Sequence, residues 1–477
     1  MKVYLIGVCG TAMATLAAML VERGHAVHGS DAHVYPPMSD FLVARGIVCL
    51  DGFDEAHITP DIDLVVIGNA VSRGNPEVEA VLDRKLRYRS LPEMVRETFL
   101  WDRVSIVIAG THGKTTTASL ASWVLADGGR DPSFLIGGLA GNFESSYRLG
   151  GGPEFVIEGD EYDSAFFDKT AKFLKYLPDI AVVGNLEFDH ADIYADFEAI
   201  RTAVRRLVSL LPRGGQLVLG ADSPAAMEMA VGAPCPVTTF GLAATANWRA
   251  TQIETRPDGM TFGVEHHGDR VSTVQVPLVG AFNVRNVLGA IAVAHAVGLD
   301  LQVVTATLAR FKGVKRRLEV RGRARGVTVY DDFAHHPTAV KETLAGVRAA
   351  FPSRRIWALF EPRSATACRR VFQAEFAAAF DQADEVIIGQ VYRSSLPDDE
   401  RLSESELVDA IRRTGPRARH LADVEDIVRA VVADAGEGDL VIVMSNGAFG
   451  GIHGRLLDAL SAAEAEADAS GGKPNDR

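Results

Sequence analysis

A chain of 477 residues, 47% hydrophobic and 23% charged, has the make-up of a globular protein and the length for about three domains, each with its own core. Its net charge of −13 provides no basic field to attract polyanions, which argues against nucleic-acid or membrane-surface binding. The four cysteines, Cys9, Cys49, Cys235 and Cys368, have no C-x-x-C spacing, so they imply neither zinc nor a disulfide framework and suit a reducing cytoplasm.

The uncharged run VYLIGVCGTAMATLAAML, Val3 to Leu20, has the look of a secretion signal. Gly7 and Gly10 interrupt it, and VERGHAVHGSD continues it as a helix end, a second strand and an acidic turn. That is a β-α-β unit with Gly-x-x-Gly at its first turn and Asp31 about twenty residues on, a nucleotide-binding pattern. Met13 stands where the third glycine of the dinucleotide fingerprint would fall. An NAD-dependent oxidoreductase is one reading; another diphosphate-bearing nucleotide fits equally. The strand-and-helix alternation runs to about residue 100 and includes LVVIGNAVSRGNPEVEAVLDR, with a helix opened by Pro76.

The segment VIAGTHGKTTTASLASWVLADGG, Val107 to Gly129, reads as strand, turn and helix. Such a turn aims backbone N–H groups and the helix's positive end at an anion. Gly110 and Gly113 allow close approach, with Thr111 and His112 between them. Lys114 brings a charge to the outer phosphates, and Thr115 or Thr116 brings a hydroxyl to Mg²⁺. Ile108 occupies the first glycine position of the general phosphate-loop template, but the strand before the loop and the helix spacing of Leu120, Trp123 and Val124 after it are right.

Glu158 ends a strand in PEFVIEGDEYD, and Asn185, Asp189 and His190 follow another in PDIAVVGNLEFDH. Open α/β sheets place ligands at such ends. One carboxylate plus a threonine hydroxyl is a reasonable protein share of a Mg²⁺ shell, and a second metal could take His190. Asp160, Glu161 and Asp163 read as solvated loop acids. From Asn247 to Gly280 the pattern alternates and suggests a small antiparallel sheet attached to the parallel one. FKGVKRRLEVRG reads as a hinge, after which VTVYDDF, IWALFEP, EVIIGQVY and LVIVMSNG restart an α/β rhythm. The expectation is an α/β protein with a Rossmann-like N-terminal domain (1–102), a central phosphate-loop ATPase domain (103–318) and a Rossmann-like C-terminal domain (319–462). A fraying tail would occupy 463–477.

The motifs GTHGKTT at 110–116, EGDEYD with Glu158, NLEFDH at 185–190, GAFNVRN at 280–286, KRRLE with Arg317 and DDFAHHP at 331–337 resemble the Mur ligase family, the ATP-dependent ligases of peptidoglycan precursors. The resemblance implies domains for a UDP-sugar, for ATP, and for the amine substrate. Lys114, Glu158, His190 and Arg317 would carry the chemistry. Asn283 and Asn286 would face adenine, Arg317 and Asp332 would complete the ATP site, and Thr115, Glu158 and His190 would neighbour Mg²⁺. Gly7, Gly10, Thr11 and Met13 would hold the UDP diphosphate, Ser30 and Asp31 the nucleoside, and Ser72 or Asn75 the sugar side. GVCGTAMATLA, GSDAHVYPPMSDFL, EPRSAT and VMSNGAFGGIHGRLL resemble the branch that joins the murein tripeptide L-alanyl-γ-D-glutamyl-meso-diaminopimelate to UDP-N-acetylmuramate. Arg363, Ser364 and His453 would then meet the peptide. The nearest alternative branch adds L-alanine alone, and a non-catalytic UDP-sugar sensor is the different-class reading. Phe282 stands where many relatives have histidine. The segment after DHADIY offers arginine in place of the lysine several relatives carry as a carbamate, so no modified lysine is expected.

Overall fold

The computed structural model describes residues 1–191, 193–392 and 396–471. Three large sheets follow one another along the chain, and a small two-stranded one, Asp163–Ala165 with Asp168–Ala171, lies within the second region. The first has five parallel strands in the order Val48–Asp51, Ala26–Asp31, Lys2–Ile6, Leu64–Ile67, Tyr88–Ser90. Val3, Leu5, Val65 and Val66 are fully buried, as unbroken apolar strands covered on both faces should be. The strand order reverses between Lys2–Ile6 and Leu64–Ile67. The Gly7 turn and the Gly68–Asn75 loop therefore flank a topological switch point, where open α/β sheets bind ligands.

The second sheet has ten strands. Its centre places Val104–Ala109 between Ile180–Val183 and Glu154–Glu158, all parallel. Neighbouring strands lie about 4.8 Å apart, so this order delivers the phosphate loop, Glu158 and Asn185 to one edge. Strands Trp248–Arg256, Gly259–His266 and Asp269–Val276 form the expected antiparallel piece. They extend the same sheet through just two pairings, Phe240 with Trp248 and Gly241 with Arg249. A hairpin, Ser133–Ala140 with Ser145–Arg148, covers the other edge. The helix Lys114–Asp127 stops at Gly128, as read from sequence, and packs on the helix Ala281–Ala296 through Leu120, Ala121, Val284, Val287 and Leu288.

The third sheet runs Glu319–Ala324, Val327–Asp332, Leu440–Met444, Ile356–Phe360, Glu385–Ile388, Arg417–His420. All its pairings are parallel except the first. Met444 pairs with both Asp332 and Phe360, so the loops DDFAHHP, SNGAFGG and EPRSAT emerge side by side. The expected hinge is shorter than the motif, because Glu319–Ala324 is already an edge strand. The crossover itself is strained: Arg316 and Leu318, on either side of Arg317, have φ of 60° and 50°, left-handed values that cost non-glycine residues about 1–3 kcal/mol and concentrate at functional sites. The tail expectation is corrected over 463–471, because one helix runs Ile452–Gly471. Alanine and glutamate are strong helix formers, and Leu456 and Leu460 anchor that helix in the core. Residues 472–477 lie outside the described residues. Among the described residues, no helix is long and apolar enough to cross a membrane.

Candidate active site

The phosphate loop needs its glycines for stated reasons. Gly113 opens the helix at φ 80°, and a Cβ there would lie 2.3 Å from Asn286 Oδ1. A Cβ on Gly137, in the hairpin opposite, would lie 2.9 Å from Glu158 Oε2. Both substitutions would push a site residue aside.

Lys114 donates to the carbonyls of Gly110 (2.8 Å) and Thr111 (3.2 Å) and to Glu161 (2.8 Å). Burial disfavours its ammonium, but Glu161 beside it outweighs that and holds its pKa above the usual lysine value. Glu161 also meets His190 Nε2 at 2.8 Å, and its backbone carbonyl accepts from the Tyr194 hydroxyl at 2.7 Å. Burial opposes the charge on Glu161, yet the two cationic neighbours hold its carboxyl well below the usual range. The solvated-loop reading of Glu161 is thus corrected: it is buried and central. Asp160 and Asp163 pair with Lys172 and Lys169 at the loop's margin.

Glu158 accepts from Thr115 Oγ1 (3.0 Å) and from the Gly137 N–H (2.7 Å). Arg317 reaches the same threonine hydroxyl at 3.2 Å. Loss of solvation pushes the Glu158 carboxyl up, against Lys114, the Gly137 N–H, Arg317 and Thr115, which lower it. Added positive charge would therefore be welcome here. Asp332 is likewise raised by burial, opposed by Arg317, and accepts from the Leu318 and Ala334 N–H groups at 2.7 and 2.8 Å. Asn286 donates to Asn283 Oδ1 (3.0 Å) and accepts from Thr117 (3.2 Å), while Asn283 donates to the Val279 carbonyl (2.8 Å).

Lys114, Thr115, Glu158, Glu161, His190, Asn283, Asn286, Arg317 and Asp332 line one cleft of about 790 Å³ between the second and third sheets, together with His112, Glu187 and Asn446. Asn446 was not singled out in the sequence; its Oδ1 is buried without a hydrogen-bond partner among the described residues, a polar atom free to meet a ligand. Thr366 in EPRSAT was also missed. Its hydroxyl donates to Asp189 (2.6 Å) and accepts from the His190 N–H (3.1 Å), so a loop of the third sheet closes onto the second. Removing Glu161 should be costly. Glu161→Ala leaves Lys114 and His190 facing each other without a carboxylate, a broken buried pair worth about 3–5 kcal/mol. The expected result is a melting transition several degrees lower (roughly 2–4 °C per kcal/mol for a domain of this size); an unchanged calorimetric trace would mean the contacts contribute nothing.

The other expected site residues divide. In the first sheet's turn, Gly7 and Val8 N–H groups already bond to the Ser30 carbonyl and the Cys9 N–H to Asp31. The donors left for an anion are Thr11, Ala12 and Met13, at the start of the helix Thr11–Glu22, which has no carbonyls of its own to offer them. Gly10 caps that helix. The Met13 side chain is core packing. Ser30 is fully buried and bonds Glu77, which Tyr4 and His57 also bind, so its hydroxyl does not face a ligand. Asn75 caps the helix Pro76–Asp83, accepting from Glu77 and Val78 N–H at 3.0 and 3.2 Å; Ser72 is exposed on the same loop. Arg363 stacks on Tyr392, 3.8 Å from the ring centroid, and lies 3.5 Å from Glu361. Ser364 accepts from the Ala367 N–H at 2.9 Å. His453 lies 3.3 Å from Asp331 without hydrogen-bond geometry, which places it against the sheet rather than among the EPRSAT side chains. On the helix Phe197–Ser209, Arg201 and Arg205 pair with Glu198 and Glu228.

Comparison with known proteins gives the family. Residues 2–100 match the profile of the Mur ligase family catalytic domain, 108–294 the Mur ligase middle domain, and 316–447 the Mur ligase glutamate ligase domain. The chain is 43% identical over 97% of its length, and 98% of the relative's, to the UDP-N-acetylmuramate–L-alanyl-γ-D-glutamyl-meso-2,6-diaminoheptandioate ligase of Escherichia coli. A murein peptide ligase from Psychrobacter arcticus superposes with a TM-score of 0.71 at 37% identity, covering 97% of this chain and 99% of that one. A UDP-N-acetylmuramate–alanine ligase from Thermotoga maritima shares the fold, with a TM-score of 0.79 at 23% identity, covering 97% and 100%. With three domain profiles in order along the chain and a relative matched almost end to end, the protein belongs to the Mur ligase family.

Proposed function

We propose that the protein joins the tripeptide L-alanyl-γ-D-glutamyl-meso-diaminopimelate to UDP-N-acetylmuramate with hydrolysis of ATP to ADP and phosphate, a step of peptidoglycan recycling in the cytoplasm. The observation that carries the reading is the cleft itself, in which Lys114, Thr115, Glu158, Glu161 and His190 of the second sheet meet Arg317 and Asp332, with Thr366 of the third sheet bonded to Asp189 behind it. The 43% identity to a ligase of that name supports the choice of peptide.

A carboxylate does not condense with an amine in water until one of its oxygens becomes a leaving group. The muramoyl carboxylate attacks the γ-phosphorus of ATP, giving an acyl phosphate and ADP; the peptide's α-amine then adds to the acyl carbon and phosphate departs. The chain's part is positioning and charge neutralisation. Lys114 lies where the β- and γ-phosphates would sit, and Arg317, at the strained crossover, adds a second cation from the third domain's side. Asn283 and Asn286 form the wall for the base, and the helix start at Thr11–Met13 takes the UDP diphosphate.

The residues fit Mg²⁺. The Thr115 hydroxyl and the Glu158 carboxylate are hard oxygen donors 3.0 Å apart, with room for phosphate oxygens and water, and His190 stands nearby as a neighbour of a second ion. Thr115 is preferred to Thr116 because its hydroxyl is the one that faces Glu158 and Arg317. Bound there, Mg²⁺ would supply charge neutralisation at the transferring phosphoryl group. ADP release should require ATP, UDP-N-acetylmuramate and peptide together; release that ignores the UDP-sugar would end the ligase reading. Glu158→Gln should raise the Mg²⁺ concentration for half-maximal turnover by about tenfold or more, the cost of one charged ligand. An unshifted titration would make Glu158 a loop carboxylate only.

A further inference from the structure

Beside the oxygen-lined Thr115–Glu158 pair lies a second group of donors. His112 is in the phosphate loop, Glu187 follows the strand Ile180–Val183, and His336 caps the helix Pro337–Ala350 of the third domain. One ligand atom from each comes within 4.8 Å of the others. We propose that His112, Glu187 and His336 form a binding site for a borderline divalent cation of the Zn²⁺ class, separate from the Mg²⁺ site and clamping the second domain to the third.

The distances favour this. A tetrahedral Zn²⁺ with bonds of about 2.0–2.1 Å holds its ligand atoms about 3.4 Å apart. His112 Nε2 is 3.2 Å from Glu187 Oε2, and His336 Nδ1 is 3.6 Å from the same oxygen. The donor set of two imidazoles and one carboxylate suits Zn²⁺, Co²⁺ or Ni²⁺, whereas Mg²⁺ prefers oxygen throughout.

The surroundings orient the ligands, as outer partners do in metal centres. His336 Nε2 is 3.2 Å from the Phe188 carbonyl; donating there leaves Nδ1 unprotonated, 3.6 Å from Glu187 Oε2. Glu187 accepts from the Thr338 hydroxyl at 2.7 Å, and its own N–H donates to Thr111 Oγ1 at 2.9 Å. The His112 N–H donates to Asn185 Oδ1 at 2.8 Å. His336 Nδ1 also takes a long 3.3 Å capping contact from the Thr338 N–H, which a bound cation would replace. All three ligands line the open cleft, so water can fill the fourth position and a cation can enter.

A helix cap beside a simple His112–Glu187 ion pair is the competing account, and it requires no cation. The test uses untagged, metal-stripped full-length protein in millimolar Mg²⁺. Calorimetric titration with Zn²⁺ should show one equivalent bound, and Co²⁺ should give the visible absorption bands of a four-coordinate site with nitrogen ligands. His112→Gln and His336→Gln should each weaken Zn²⁺ binding at least about a hundredfold and abolish the Co²⁺ bands, while Glu158→Gln retains both. Should His336→Gln fail to fold, His112→Gln and Glu187→Gln decide the matter. No Zn²⁺ bound by the parent protein in the presence of Mg²⁺, bands unchanged in the His112→Gln and Glu187→Gln variants, or bands lost in Glu158→Gln would each overturn the proposal.

Discussion

Lys114→Ala should abolish ligation while leaving affinity for UDP-N-acetylmuramate within about twofold, because the two sites are too far apart to couple strongly. The lysine is held by two loop carbonyls and Glu161, a constellation that keeps the charge at the mouth of the phosphate loop. When a triphosphate enters, its outer oxygens compete with Glu161 for that charge, and the interaction grows as the leaving group develops. Loss of one such preorganised donor costs roughly a hundredfold to a thousandfold in turnover. Here the substitution also strips Glu161 of a partner, so the effect should lie at the upper end. The UDP-sugar is expected at the first sheet's switch point, on a different sheet. If calorimetry showed the variant losing UDP-N-acetylmuramate affinity as severely as ATP turnover, the assignment of the two anions to different domains would fail.

The second large effect concerns the amine substrate. The tripeptide carries three carboxylates and a second amino group, and burying them without partners costs several kcal/mol. Free L-alanine demands far less. The loops EPRSAT and SNGAFGG emerge side by side from adjacent strands of the third sheet. They present the Arg363 guanidinium already stacked on Tyr392, the Asn446 amide with an unused oxygen, and glycine backbone. Such a site should reject a substrate that leaves these groups unpaired. Phosphate release with the tripeptide should therefore exceed that with L-alanine by at least about a hundredfold. Arg363→Ala should raise the KM for tripeptide by about tenfold or more, the worth of a charge-assisted bond, with little change for ATP. Comparable or faster release with L-alanine would move the protein to the alanine-adding branch.

Much of this was legible in the sequence. Continuous apolar runs marked the parallel strands, and GTHGKTT and Glu158 stood out because phosphate and metal chemistry needs fixed residue types beside strand ends, whereas Arg317 came only with the family resemblance. Residues whose roles depend on distant partners were not. Glu161 reads as a loop acid until Lys114 and His190, far off in the chain, close over it. Ser30 reads as a ligand contact until Glu77 proves to be a buried carboxylate that needs a hydroxyl, and Asn75 turns out to be a helix cap. The local pattern of Thr366 says nothing of Asp189, which another domain brings to it. Cys9 and Cys49 are forty residues apart, yet the turn after the strand Lys2–Ile6 and the strand Val48–Asp51 set their sulfurs 3.4 Å apart.

The Thr366 contact bears on waste. An acyl phosphate in water is a short-lived species, and an enzyme that made it before the amine arrived would consume ATP to no purpose. The loop that carries Thr366 also carries Arg363, so the part of the chain expected to greet the peptide is the part that fixes Asp189 and the His190 backbone. Swinging that loop away leaves a buried carboxylate and an N–H without their hydroxyl partner. The phosphoryl end of the cleft would then be complete only while the amine end is in place, and futile hydrolysis would be limited by the timing of assembly rather than by a separate lid. Thr366→Val should show it directly: ADP formed per amide bond would rise above one, whereas a ratio that stays at one would separate the two events.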